Sequence, residues 1–135
     1  MERGYCLSSE EIRKLFANHN INEKQIQPSS FDATIGDEVY IVDTQLNGIF
    51  RPNSHETVYE TLRKLKEKER PKFSIQGGFE IKRGFAYLIR LKEKVTLKPG
   101  DYVKSSPKSS LGRLFLHNRL LADYNPCFDE LHSEY

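Results

Sequence analysis

The sequence predicts a mainly β domain of the sandwich or barrel type, with two helices. From Phe73 onward, short bursts of β-branched and aromatic residues are separated by glycine-containing turn pairs at 77–78, 83–84 and 99–100. Evenly spaced short strands divided by such turns are typical of β-sandwiches and β-barrels. The chain has 135 residues, which suits one domain over residues 1–135. We find no repeat or linker that would divide it.

Two stretches carry helical patterns. Ser8 is followed three residues later by Glu11, the spacing of a capping box, which predicts a helix near residues 8–18. Residues 51–70 show helical spacing beneath a face rich in Lys, Glu and Arg, which predicts the second helix. The hydrophobic residues that define the two faces are Ile12, Leu15 and Phe16 in the first helix and Val58, Leu62 and Leu65 in the second.

Residues 26–40, IQPSSFDATIGDEVY, predict the first strand. Phe31, Ala33 and Ile35 alternate with polar residues or glycine, which indicates a strand with one buried face. We expect Phe31 and Ile35 to pack into the core. Further strands are predicted near residues 79–82, 85–91, 94–97 and 101–105. Residues 111–121 fit either a helix or a strand.

Composition argues against several classes of partner. Lys and Arg number 21 and Asp and Glu 19, a formal net charge of +2, so no nucleic acid partner is indicated. No apolar run approaches the roughly 18 residues of a membrane span and no signal-peptide core is present, which predicts a cytoplasmic protein with no membrane contact. Cys6 and Cys127 are expected to be free thiols, and the scattered histidines predict no protein-bound zinc or other metal.

A polar stretch at residues 106–113, SPKSSLGR, has the composition of an anion site. Lys108, Ser109, Ser110 and Arg113 supply two hydroxyls and two cations, which suit phosphate oxygens. The stretch is not a P-loop, because the GxxxxGK[ST] pattern is absent. On composition alone it also fits a solvated turn between strands, and residues 26–36 fit a polar turn that leads into a strand.

Two motifs resemble those of a known family. Residues 26–40 resemble the pattern IQPxSxDLRLG, and residues 106–124, SPKSSLGRLFLHNRLLADY, resemble the pattern PKSSxGRLxxxxRxxxD. Both belong to the dCTP deaminase and dUTPase superfamily, and the chain most resembles the N-terminal domain of the longer bacterial dCTP deaminases over nearly its whole length. The resemblance implies a distorted dUTPase-like β-barrel, or β-clip, with two peripheral helices. It also implies a homotrimer whose nucleotide sites are made by neighbouring subunits.

The resemblance also implies roles for individual residues. Ser109, Ser110 and Arg113 would contact the phosphates of a deoxynucleoside triphosphate, dCTP or dUTP, with Lys108 beside them. The residues that would line the base and sugar pocket are Arg119, Asp123 and Asp129. Asp32 would have a structural role near the site, and residues 26–36 would form its wall. Ala33 and Thr34 replace the usual Leu-Arg pair, so a contact made by that arginine is not expected here.

The activity implied is deamination of dCTP to dUTP and ammonia, with Mg²⁺ carried by the triphosphate and no zinc. The sequence assigns no catalytic residue. The family's catalytic glutamate follows an aromatic-x-Gly turn that this chain does not reach, so we expect the C-terminal strands to be missing and the chain to be truncated or split. Glu130 and Glu134 lie nearby but outside the motif context.

Two other functions stay open on the sequence. The same fold hydrolyses dUTP to dUMP and pyrophosphate in dUTP pyrophosphatases, and a chain without the glutamate strand also fits a non-catalytic nucleotide-binding or assembly module. Missing strands would leave open sheet edges, which proteins pair or cover. We therefore expect a homo-oligomer, or an exchange of strands between chains, that covers the edge.

Overall fold

The computed structural model describes residues 4–17, 20–42, 51, 53–64 and 72–132. The elements in chain order are α1 (Ser9–Leu15), a 3₁₀ helix (Glu23–Gln25), β1 (Ile35–Val42), α2 (Val58–Arg63), β2 (Lys72–Ser74), β3 (Ala86–Leu91), β4 (Tyr102–Lys104), α3 (Ser109–Arg113) and β5 (Glu130–His132). The strands form one sheet in the order β2-β1-β3 and a second sheet made of β4 and β5. No helix within these ranges is long and apolar enough to cross a membrane.

The chain forms two compact units. Unit 1 comprises Met1–Val39, Phe73–Phe79 and Ile89–Thr96, and unit 2 comprises Tyr40–Lys72, Glu80–Leu88 and Leu97–Tyr135. The single domain predicted over residues 1–135 stays a prediction.

In unit 1, the predicted capping box begins the first helix. Ser8 Oγ accepts a hydrogen bond from Glu11 N at 3.3 Å, and Glu11 Oε1 accepts one from Ser8 N at 3.2 Å. These bonds satisfy backbone donors that the first helical turn leaves unpaired. The helix ends at Leu15, earlier than predicted, with Phe16 as its C-cap.

The aromatic ring of Phe31 contacts the residues that follow α1. Its centroid lies 3.9 Å from that of the buried Phe16, with the two rings stacked, so the expected anchoring of Phe31 is confirmed. The expectation for Ile35 is wrong, because its side chain is 52% exposed. Ile35 is the first residue of β1, and burial in this strand begins only at Val39.

Gly36 is required by the close approach of two strands in unit 1. A Cβ atom at this position would lie 2.8 Å from the backbone oxygen of Arg90 in β3, closer than non-bonded atoms tolerate. The glycine in the first motif therefore has a packing role within β1.

In unit 2, the second predicted helix is present but shorter. Its N-terminus is a capping box in which Thr57 Oγ1 accepts from Glu60 N at 3.0 Å. The core consists of Tyr40, Val42 and Leu62, with Leu88 packed against it. Residues 65–70 of the prediction, including Leu65, lie outside the described residues.

The second sheet is a short antiparallel pair in unit 2. Tyr102 lies opposite His132, Val103 opposite Leu131 and Lys104 opposite Glu130. The predictions of strands at 85–91 and 101–105 are confirmed by β3 and β4, whereas β2 and β5 were not predicted. Within the described ranges neither sheet closes on itself, so the structure does not show the predicted barrel.

Two predicted strands are absent. Residues 79–82 form no strand, because Lys82 N donates to the hydroxyl of Tyr87 at 2.9 Å and the chain turns at Gly84 with a φ of 91°. Residues 94–97 keep the predicted alternation, since Val95 and Leu97 are half-buried between exposed neighbours, but they pair with no strand among the described residues. Alternating hydrophobicity indicates that the two faces of a segment differ. To form a strand, the segment also needs a second strand with which to pair.

Candidate functional site

Residues 108–113, called the phosphate segment below, comprise a short helix in unit 2 and its N-cap residue. Lys108 is the N-cap residue, with extended backbone angles and no side-chain cap hydrogen bond, and α3 follows over Ser109–Arg113. The backbone N–H of Leu111 donates to the carbonyl of Lys108 at 3.0 Å. Of the two options for residues 111–121, a helix is correct for 111–113, and residues 116–121 form neither helix nor strand.

The polar side chains of the phosphate segment face solvent. Ser109, Ser110 and Arg113 are exposed, and in the described part of the chain their hydroxyl and guanidinium groups have no hydrogen-bond or ion-pair partner. Two hydroxyls and a guanidinium are therefore available to donate hydrogen bonds to an anion.

The residues directly after α3 expose large apolar side chains. Leu114 is 68% exposed and Phe115 is 90% exposed, and Phe115 has a positive φ of 57°. A left-handed conformation is unfavourable for a bulky residue.

Arg119 and Asp129 are brought together in the second predicted group. Arg119 Nε lies 2.6 Å from Asp129 Oδ2, and the guanidinium carbon lies 5.4 Å from the ring centroid of Phe128. Asp129 Oδ1 also accepts a hydrogen bond from the backbone N–H of Leu120 at 2.7 Å. The structure therefore holds Arg119 by an ion pair and a cation–π contact.

Asp123 contacts a different element of unit 2. Its Oδ1 accepts from the backbone N–H of Val58, the first residue of α2, at 2.9 Å, and the next residue, Tyr124, donates its N–H to the carbonyl of Glu56 at 3.1 Å. A carboxylate is favourable at a helix N-terminus. Asp123 thus ties the segment after Arg119 to α2.

Glu130 is engaged by its neighbours on the two-stranded sheet. Its Oε2 lies 3.3 Å from His132 Nε2, and the hydrogen bonds from His132 and then from the Tyr102 hydroxyl lower the pKa of the carboxyl below its ordinary value of 4.5. Burial and the same bond to Glu130 raise the pKa of Tyr102. A carboxylate with a lowered pKa is a weak general base. Glu134 lies outside the described residues.

Asp32 lies in unit 1 and is held by local bonds. Its Oδ2 accepts from Gln27 Nε2 at 3.3 Å, and its backbone N–H donates to the carbonyl of Gln25 at 2.8 Å. Two residues later, Thr34 donates to Glu93 from both its hydroxyl, at 2.6 Å, and its backbone N–H, at 2.9 Å. Thr34, at the position where the motif carries arginine, is therefore bound to a carboxylate of its own unit.

Glu93 was not singled out in the sequence. Burial alone would raise its pKa, but the hydrogen bonds from Thr34 and Gln25 outweigh it, so the pKa is lowered. It lines a polar cleft in unit 1 together with Asn22, Gln25 and Lys92. No motif or spacing in the sequence links Glu93 to Thr34, so this contact could not be predicted from the sequence.

Asn125 and Phe128 were also missed. Asn125 is 1% exposed and donates from Nδ2 to the carbonyl of Glu130, while its Oδ1 accepts from the backbone N–H of Cys127 at 2.9 Å. The Asn125-Pro126 pair was the available signal, because Asn-Pro marks turns in which the Asn side chain bonds nearby backbone.

Metal ligands are not assembled in the described ranges, where no group of three His, Cys, Asp or Glu side chains lies close enough to hold an ion. Cys6 and Cys127 are exposed free thiols.

Comparison with known proteins identifies the family. No curated protein matches the chain. A solved structure, the 2'-deoxycytidine 5'-triphosphate deaminase from Agrobacterium tumefaciens, is similar, with 28% sequence identity and a TM-score of 0.80. The similarity covers 96% of this chain but 38% of that one, so this chain spans well under half the length of the enzyme. Residues 5–135 match the model of the 2'-deoxycytidine 5'-triphosphate deaminase N-terminal domain, and the chain therefore belongs to that family.

Proposed function

We propose that this chain binds the triphosphate of dCTP as the N-terminal domain of a dCTP deaminase. The observation that carries the proposal is the phosphate segment, in which Ser109, Ser110 and Arg113 are exposed donors without a partner in the described ranges. The unpaired guanidinium of Arg113 stabilises nothing within the described ranges. Phosphate oxygens match the geometry of its planar set of donors. Lys108 adds a cation at the head of the same segment.

The base and sugar are proposed to lie near the 119–130 segment of unit 2. Arg119, Asp123 and Asp129 carry polar groups on this segment, and Arg119 is largely exposed despite its ion pair. Asp32 is proposed to have the structural role described above. The nucleotide would arrive with Mg²⁺ on its phosphates, because Mg²⁺ favours phosphate oxygens and keeps several waters.

The proposed reaction adds water to C4 of the cytosine ring. A carboxylate takes one proton from the attacking water and passes it to the ring nitrogen. It then takes the remaining proton of the new C4 hydroxyl and passes it to the amine, and the C4–N bond breaks as the C4 carbonyl forms, which gives ammonia and dUTP. Glu130 is poorly suited as that base, because it is bound by His132 and Tyr102 and its pKa is lowered. We therefore assign nucleotide binding to the described residues and no catalytic role to Glu130.

A homo-oligomer, and specifically a trimer, is part of the proposal. The support comes from exposed large hydrophobic side chains in unit 2, which are Tyr59, Ile81, Phe85, Tyr102, Leu114, Phe115, Tyr124 and Phe128. A trimer interface would cover side chains of this kind. Light scattering tests this point, and a monomer at all concentrations would contradict it.

A non-catalytic nucleotide-binding module is the second candidate for the chain by itself. The engagement of Glu130 by two side chains favours it, since a carboxylate with a lowered pKa is a weak general base. Both candidates require nucleotide binding. They differ in turnover, because only the deaminase releases ammonia from dCTP. Release of pyrophosphate from dUTP would instead indicate a dUTP pyrophosphatase.

Calorimetric titration tests the shared claim. The chain is titrated with dCTP, dUTP and deoxycytidine in the presence of Mg²⁺. We expect binding of both triphosphates and much weaker binding of deoxycytidine, which lacks the phosphates. Equal affinity for deoxycytidine and dCTP, or no binding of any of them, would contradict the proposed function.

A further inference from the structure

Strand β3 lies at an edge of the three-stranded sheet. The strand order is β2-β1-β3, so in the described part of the chain β3 has a neighbouring strand on one side only. Lys92 N donates to the carbonyl of Thr34 at 3.0 Å, and the carbonyl oxygen of Arg90 lies against Gly36. Residue 92 is thus opposite residue 34 and residue 90 is opposite residue 36, so β1 and β3 run antiparallel.

The backbone on the outer side of β3 is unpaired. In an antiparallel pair, alternate residues direct both their N–H and their C=O groups toward the neighbouring strand. Arg90 and Lys92 direct theirs toward β1, so those of Ile89 and Leu91 point away from it. Among the described residues, the N–H groups of Ile89 and Leu91 have no hydrogen-bond partner. Unpaired donors and acceptors along a sheet edge are a template for a further strand.

The side chains along this edge alternate between basic and apolar. Arg90, Lys92 and Lys94 are exposed, whereas Leu91 and Val95 are half-buried. Alternate side chains of an extended segment lie on the same face, so the three cations share the exposed face. Residues 89–95 are called the basic edge below, and all of them belong to unit 1.

The cations of the basic edge are little neutralised within the chain. Arg90 Nη1 lies 3.9 Å from Glu38 Oε2, and the Arg90 side chain is 58% exposed. Lys92 and Lys94 have no ion-pair partner in the described ranges. The acidic residue between them, Glu93, is half-buried and accepts hydrogen bonds from other groups of unit 1. The exposed face therefore carries a net positive charge.

We propose that the basic edge binds an extended segment of a partner protein in which carboxylate side chains alternate with apolar ones. The segment adds to the sheet as a further strand and bonds to the backbone of Ile89 and Leu91. Side chains directly opposite each other on one face have Cβ atoms about 4.5 to 5.5 Å apart, so the carboxylates lie within reach of the three cations. The apolar side chains of the segment lie beside Leu91 and Val95.

Charge decides between this partner and a second copy of the chain. Two copies joined at their basic edges would place cations opposite cations, and like charges directly opposite are destabilising. Lysines also protect exposed sheet edges from pairing with copies of themselves. The same cations favour an acidic strand, so one feature excludes self-pairing and selects the partner.

Fluorescence anisotropy of labelled heptapeptides with the full chain tests the proposal. The probe is VEVEVEV with blocked ends, and the charge control is VKVKVKV. In antiparallel addition the valines lie opposite Ile89 and Leu91 and direct their N–H groups toward β3. We expect VEVEVEV to bind about tenfold more tightly than VKVKVKV. N-methylation of the valine amides should abolish binding, whereas N-methylation of the glutamate amides, which point away from β3, should leave it unchanged.

Charge reversal on the protein is the complementary test. The double change Lys92→Glu with Lys94→Glu should weaken VEVEVEV binding about tenfold and strengthen VKVKVKV binding by a similar factor. The double change Lys14→Glu with Lys82→Glu alters the net charge equally at exposed lysines elsewhere and should leave both affinities unchanged. Thermal unfolding of both variants establishes that the fold is kept.

Four results would overturn the inference. If the natural chain does not bind VEVEVEV, the lysines only shield the edge. Equal weakening in the two double variants would mean attraction by net charge alone, and equal binding of the two N-methylated peptides would mean that no strand is added. Self-association of the natural chain that Lys92→Glu with Lys94→Glu abolishes would place a second copy at the edge. None of these results depends on nucleotide binding, so the proposed function is tested separately.

Discussion

The phosphate segment and the 119–130 segment, called the clamp segment below, use polar residues in opposite ways. In the phosphate segment, the hydroxyls of Ser109 and Ser110 and the guanidinium of Arg113 have no partner in the described residues. In the clamp segment, Asp123, Asn125 and Asp129 each bind backbone groups of other residues. The two segments are neighbours in the sequence and both belong to unit 2.

This difference in partners indicates which polar groups stabilise the fold and which are available to bind a ligand. A buried polar group must find a partner within the protein, and losing that partner costs stability. An exposed donor without a partner costs nothing in water and retains its capacity to bind. Substitutions in the clamp segment should therefore change stability first, whereas substitutions in the phosphate segment should change nucleotide binding alone.

The largest expected effect lies in the clamp segment, at Asn125. Replacing it by alanine leaves the carbonyl of Glu130 and the N–H of Cys127 without their partners, which should lower the free energy of unfolding by about 2 to 4 kcal/mol. Urea unfolding measures this loss. Asn118→Ala is the matched control, since Asn118 is exposed, and a similar loss in both variants would contradict the assignment.

A smaller effect is expected in the phosphate segment from the double change Ser109→Ala and Ser110→Ala. Loss of two hydroxyl donors should weaken dCTP binding by about 1 to 2 kcal/mol, as hydrogen bonds to charged groups do, and should leave the urea midpoint unchanged. Ser54→Ala, at an exposed residue outside both segments, serves as the control for both measurements. A shift of the urea midpoint without a change in dCTP affinity would mean that these serines stabilise the fold and do not bind the nucleotide.

The smallest effect is a pH dependence in the clamp segment. The carboxyl of Glu130 has a lowered pKa in the folded chain, so its contribution to stability is complete above the unfolded value and is lost as the pH falls through the folded value. Stability should therefore decrease below about pH 4.5, and Glu130→Gln should reduce that decrease. Glu80→Gln, at an exposed position, should leave the loss of stability at low pH unchanged. If Glu130→Gln does not change the loss of stability at low pH, the assignment of this loss to Glu130 is refuted.

Local patterns predicted some parts of the fold well. The Ser8 and Glu11 capping box and the packing of Phe31 depend on residues close in sequence or on burial, and both are present. The absent strands at 79–82 and 94–97 and the unexpected β5 depend on which segments pair. Pairing is a property of the folded chain, which hydrophobic alternation does not encode.

The candidate site shows the same limit. Composition and the family resemblance together predicted the phosphate segment, and its role stays a prediction. The pairing of Arg119 with Asp129 and that of Thr34 with Glu93 join residues 10 and 59 positions apart. In the sequence these are separate polar residues, and only the folded backbone brings them together.

The most direct test of the account is the affinity of Arg113→Ala for dCTP and dUTP, compared with that of Arg83→Ala. Both arginines are exposed, so the two variants lose the same charge at different places. We predict that Arg113→Ala weakens the binding of both nucleotides alike, by about 1.5 to 3 kcal/mol for a charged hydrogen bond, while Arg83→Ala binds them as the natural chain does. Equal titration curves for the two variants would contradict the claim that the phosphate segment binds the triphosphate.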